Sequence, residues 1–204
     1  MRVGRTLVVL FAVLALGVSA AQAHGTRQAR PIRGIAINAL THGQMAVVAT
    51  YRSAILELAA RRLHTDETMR RLMNFASIEY SACLWGLVPG SLRDEDSPFN
   101  ECSHAYLSAS AALLEYLRTM PGDTQAAERL SAAMESDMLA RNAVQVICRF
   151  SGEKFYTGDI VMPAWSEIPT HFPSLAALAF VAVVVVGGIG GVWRATGASA
   201  KSEA

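Results

Sequence analysis

Histidines and cysteines are the residues of this 204-residue chain best suited to hold a metal ion or act as nucleophiles, and it has five of the first and three of the second. Cys83, Cys102 and Cys148 form no CxxC pair, which removes the usual redox and zinc-ribbon chemistry, and no CxxCH is present to attach haem. His24 becomes special if a leader is removed after Ala23. Its free amine and ring nitrogen would then grip copper together, with one further imidazole completing the set. His42, His64, His104 and His171 are the candidates for that third place, but no spacing fixes any of them beside His24. Met69/Met73 and Met134/Met138 stand four residues apart and could offer thioethers to monovalent copper; at that spacing methionine is more often core filler.

Motifs for enzymatic chemistry are thin. Glu101-Cys102-Ser103-His104 supplies one ExxH, whereas a di-iron bundle needs two such motifs and two further glutamates. Ser151-Gly152-Glu153-Lys154 matches SxxK, but its usual companions Ser-Asp-Asn and Lys-Thr-Gly are missing. There is no Walker loop, GxGxxG or HExxH. The expectation is therefore a protein that is not an enzyme.

The ends of the chain decide where these residues sit. Arg2 and Arg5, the apolar run Leu7 to Gly17 and the small-x-small triplet Ala21-Gln22-Ala23 predict a secretory signal peptide over 1–23, because the run is too short to span a bilayer. Residues 174–193 carry no charge, are rich in Leu, Ala, Val, Phe and Gly, and have the length a helix needs to cross about 30 Å of hydrocarbon. Trp193 and Arg194 then occupy the places of an aromatic anchor and a positive-inside residue, leaving 194–204 as a cytoplasmic tail. Arg- and Ala-rich, Lys-poor usage suggests a GC-rich bacterium. The expected location is the inner membrane, single-pass, with the N-terminal domain in the periplasm. A net charge of +1 from 18 basic and 17 acidic residues, interspersed, disfavours nucleic acid as a partner.

Between the two ends the hydrophobic period is helical, and no segment alternates convincingly, so no sheet is expected. Residues 24–40 read as an extended arm and 41–148 as a helical periplasmic domain. Thr41 caps helix one, whose stripe is Val47, Val48, Tyr51, Ile55 and Leu58. Helix two follows a Thr65 cap and runs to about Leu87, helix three runs from about Cys102 to Thr119, and helix four from about Thr124 to Cys148. Glu57/Arg61 and Asp137/Arg141 are expected as exposed i,i+4 pairs. Residues 149–173 form a linker whose aromatic residues suggest packing on the domain or on a partner. The predicted fold class is all-α, a small up-down bundle outside the cytoplasm plus one C-terminal transmembrane helix.

That topology puts all three cysteines at one end. In an oxidising compartment Cys83–Cys102 closes the simplest hairpin, leaving Cys148 as a thiol that is either buried and inert or paired to another chain. Gly187 and Gly191 form a GxxxG in the membrane helix, a face on which another helix could pack.

Two resemblances accompany this reading. An N-terminal His24 resembles the copper histidine brace of oxidative polysaccharide-cleaving enzymes, at that one residue and without their beta-sandwich. The order helix, Cys83-Leu84-Trp85-Gly86, loop, Cys102, helix, Met120-Pro121, helix, Cys148 resembles the disulfide-stapled helical immunity proteins of the Tai type over less than half of the chain. This chain lacks their fourth cysteine and adds a membrane anchor. The leading expectation is a non-enzymatic envelope protein with no cofactor, its domain binding another membrane or periplasmic protein, or a second copy as a homodimer. The alternative is a periplasmic copper-binding protein using His24.

Overall fold

The computed structural model describes residues 34–88, 90–122 and 124–199. The signal peptide expected over 1–23, His24 and the arm up to residue 33 lie outside the described residues.

The described chain is mostly helical, with five α-helices: α1 (His42–Ala60), α2 (Glu67–Ala82), α3 (Asn100–Thr119), α4 (Gln125–Ala140) and α5 (Phe172–Ser199). Helices α1, α2 and α4 pack around α3, which touches α2 and α1 most extensively. Residues 102–110 of α3 are buried on every side. Such a helix can pass through the middle of a small domain because Ser103, Ala105, Ser108, Ala109 and Ser110 keep its surface narrow. Their hydroxyls are satisfied locally: Ser103 and Ser110 donate to the carbonyls of Phe99 and Tyr106, and Ser108 accepts from the Leu40 N–H.

Helix α1 begins where its capping signal sits. Thr41 Oγ1 accepts the Gln44 N–H and the Gln44 side chain accepts the Thr41 N–H, a reciprocal box that satisfies two orphan donors. At α2 the cap is Asp66 rather than Thr65. Asp66 Oδ1 takes the Met69 N–H at 2.8 Å and its other oxygen bonds Tyr116, so a full negative charge sits at the positive helix end while Thr65 serves Arg70.

Two helices stop earlier than their hydrophobic stripes suggest. Helix α2 ends at Ala82, and Leu84, Trp85 and Gly86 follow with φ of 51°, 54° and 65°. For Leu and Trp that left-handed conformation is strained, and it directly follows Cys83, which lies at disulfide distance from Cys102 of α3. Helix α4 ends at Ala140, with Asn142 left-handed at φ 49°, a stop that asparagine supplies more readily than other non-glycine residues. Val144 and Ile147, expected on the buried face of helix four, therefore lie beyond it and are 60% and 71% exposed. Asp137 accepts from Tyr51 across the α1–α4 contact at 2.8 Å, in place of the expected Arg141 pair. Glu57 does pair with Arg61.

The expectation of no sheet is also corrected. Ala36–Asn38 (β1) pairs antiparallel with Lys154–Tyr156 (β2), with Ile37 opposite Phe155 and both facing the core. Three residues per strand are too few to show a period of two in the sequence, and the pairing ties the end of the arm to the linker. Residues 36–38 are thus part of the folded domain.

Cys83 and Cys102 lie at disulfide distance, with Cα atoms 5.6 Å apart across 19 residues of sequence. Closing a loop of that length contributes about 3 kcal/mol in the chain-entropy picture. Mass mapping of the purified chain is expected to find this pair bonded, and reduction to lower the denaturation midpoint correspondingly; a bond from Cys148 to either partner would contradict the pairing.

Helix α5 includes a 20-residue stretch, Phe172–Gly191, long and apolar enough to cross a membrane, and only 6% of its most apolar window is buried. It begins two residues earlier than expected.

Candidate functional site

Three separate pieces of chain meet at the start of α1. His42 is its first residue, directly after the Thr41 cap. The Thr41 hydroxyl donates to the Ala143 carbonyl at 2.7 Å, and the Gly43 N–H donates to the Val146 carbonyl at 3.3 Å. This close approach depends on glycine: a Cβ at position 43 would lie 2.2 Å from the Ala143 oxygen and 2.7 Å from its Cα. The segment after α4 is thereby held against the helix start and delivers Cys148. There the Ser151 side chain accepts the Cys148 N–H at 3.0 Å, and the Ser151 N–H returns to the Cys148 carbonyl. His104 arrives from the fully buried part of α3.

One donor atom from each of His42, His104 and Cys148 lies within 4.8 Å of the other two. Cys148 Sγ is 3.3 Å from His104 Nε2 and 3.2 Å from Ser151 Oγ. The two imidazoles stack at 5.3 Å between centroids, Phe150 covers His104 at 5.2 Å, and Arg149 lies over Phe150. Asn100 donates to His42 Nε2 at 3.2 Å and to the Ser91 carbonyl at 2.8 Å, while Glu95 Oε1 lies 3.7 Å from His42 Nδ1. His42 thus has a partner near each nitrogen. His104 has a buried Nδ1 with no hydrogen-bond partner of acceptable geometry.

Burial pushes His104 down to about 4, and the neighbouring His42 and Arg149 push the same way against the backbone at Leu40. The ring is neutral at neutral pH. With its basicity lowered this far, His104 is a weak base for Cys148. What the set offers is two buried imidazoles and a half-buried thiol, the donor types of zinc and copper sites.

The other candidates fall elsewhere. His64 is exposed in the loop after α1. His171 caps α5: its Nδ1 accepts the Ser174 N–H at 3.3 Å and hydroxyl at 2.7 Å, which leaves the proton on Nε2 to donate to Asp94 at 2.9 Å. Ser174 is fully buried, which keeps this Ser-His-Asp chain from acting as a nucleophile. Met69 and Met134 are in the core, with Met73 and Met138 packed against it. Glu101 is exposed while His104 is buried, and Lys154 is exposed on β2 while Ser151 braces Cys148, so neither short motif assembles. Gly187 and Gly191 face open space.

Two ionisable residues drawn into the packing were missed by sequence reasoning, Glu79 fully buried and Arg52 half-buried. Glu79 takes the Val161 N–H, and Arg52 lies 3.4 Å above the Tyr80 ring. Both lie within helical patterns where a charge reads as exposed. No protein family, curated protein or solved structure matches this chain.

Proposed function

We propose that the chain is a non-enzymatic, single-pass protein of the inner membrane, directed there by a cleaved signal peptide, whose periplasmic helical domain serves as an accessory or stabilising subunit of a larger membrane complex. The observation that carries this reading is the docking of the first turns of α5 onto the domain. His171 bridges to Asp94, Ser174 is buried, and Ala177 and Leu178 pack against the core. The preceding linker is also held, by the Ala164 N–H on the Pro98 carbonyl and by Trp165 edge-on to Phe99 at 5.8 Å. A domain held this way cannot swing on a tether, so a partner that packs beside α5 meets the domain at a set height and orientation. Gly187, Gly188, Gly190 and Gly191 offer that partner a close approach. The exposed Ile160, Met162 and Trp165 just before the helix, and Phe172 at its first position, suit the membrane interface.

Replacing both Gly187 and Gly191 with Leu is expected to leave the protein folded and resistant to carbonate extraction while stripping a partner, or a second copy, from it in gentle detergent. Undiminished co-purification would argue against the helix face. Release of the wild-type chain by carbonate would sink the membrane reading itself.

A further inference from the structure

We propose that His42, His104 and Cys148 bind one thiophilic d10 metal ion, zinc or monovalent copper, on the domain outside the membrane. The site goes beyond the accessory role and does not depend on His24.

Three observations carry the assignment. The donors come from the start of α1, the middle of α3 and the loop after α4, and they converge to within 4.8 Å although no local motif ties them together. Each is independently braced: His42 by Asn100 and Glu95, Cys148 by Ser151, and His104 by burial between His42 and Phe150. With His42 Nε2 on the ion in place of its Asn100 bond, Nδ1–H faces the Glu95 carboxylate 3.7 Å away, the kind of outer partner that metal-bound histidines normally have. Finally, His104 is completely buried with a nitrogen left unpaired, a poor arrangement for a residue whose only task is to fill space.

The donor set selects the ion. A thiolate with two imidazoles favours zinc or copper over magnesium and calcium, which prefer oxygen. Three protein donors leave a fourth position open for water or for a ligand brought by a partner, unlike the closed four-donor sites that only hold folds together. Binding replaces the Cys148 S–H bond by a sulfur–metal bond and releases that proton to solvent; no electron is transferred.

The test uses the full-length chain in detergent, stripped of metal, titrated with zinc and, under ascorbate, with monovalent copper against chromophoric chelators. One ion per chain is expected. Cys148→Ser and His104→Gln should each weaken binding by roughly 100-fold or more, since loss of a mere outer-shell partner already costs about 10–100-fold. His24→Ala should leave it unchanged. Cobalt should give a thiolate charge-transfer band that Cys148→Ser lacks. Tighter retention of zinc or of copper assigns the ion, and either supports the site. If the variants fold poorly, alkylation of wild-type Cys148 decides: saturating ion should block it. Unchanged alkylation, no binding of either ion, or binding that survives Cys148→Ser and disappears in His24→Ala would overturn the proposal.

Discussion

Gly43→Ala is expected to destabilise the detergent-solubilised protein by about 2 kcal/mol, the middle of the range of about 1–3 kcal/mol for overpacking a tight site. The direction is informative, because in an open helix the same exchange stabilises by about 1 kcal/mol. Here the added methyl would meet three backbone atoms of Ala143 at 2.2 to 2.8 Å, and backbone cannot rotate aside as a side-chain end can. Either α1 or the 143–148 segment must retreat, breaking the bonds from Thr41 to Ala143 and from Gly43 to Val146. Cys148 should then alkylate faster. A denaturation midpoint at or above the wild-type value would show that the two segments do not touch this closely.

Glu79 should make the protein less stable as the pH rises, the reverse of the usual behaviour of a folded-state carboxylate. The side chain is completely buried; burial, reinforced by Glu101, pushes its carboxyl up to about 7 against the opposing Val161 N–H. The folded chain therefore holds a proton that the unfolded chain, with an ordinary glutamate near 4.5, has already lost. Stability from this group is fully present below pH 4.5 and is lost as the pH rises through about 7. The total is on the order of 3 kcal/mol, at about 1.4 kcal/mol for each unit of displacement. Glu79→Gln keeps an acceptor for Val161 and cannot ionise. The wild-type midpoint minus that of Glu79→Gln should fall across this window; a difference that is flat or rises with pH would refute the assignment.

Local signals were legible in the sequence and tertiary ones were not. Thr41, followed three residues later by Gln44, marks the start of α1 because capping is a contact between near neighbours. The apolar stretch of α5 was equally plain, since an uncharged run long enough to cross a membrane stands out by length and composition alone. By contrast, α2 ends at Ala82, just where Cys83 meets Cys102 of α3, a contact 19 residues away in sequence. The end of α4 did carry a signal, Asn142, which the continuing apolar pattern of Val144 and Ile147 obscured. His42, His104 and Cys148 were each visible as donors, but their meeting depends on the Gly43 contact across about 100 residues of chain. That kind of information is in the packing of two backbones, not in any spacing of side chains.

The docking of α5 has a mechanical corollary. A lone membrane helix meets a bilayer thinner or thicker than itself by tilting, at modest cost. Here Ser174 is buried, Ala177 and Leu178 pack against the core and His171 bonds Asp94, so tilting α5 alone would break these contacts while tilting the domain with it would keep them. With α5 as the proposed anchor, a few ångströms of change in bilayer thickness would be converted into a change in the domain's inclination over the membrane surface. On that proposal, the lipid environment would set which side of the domain a neighbouring protein meets.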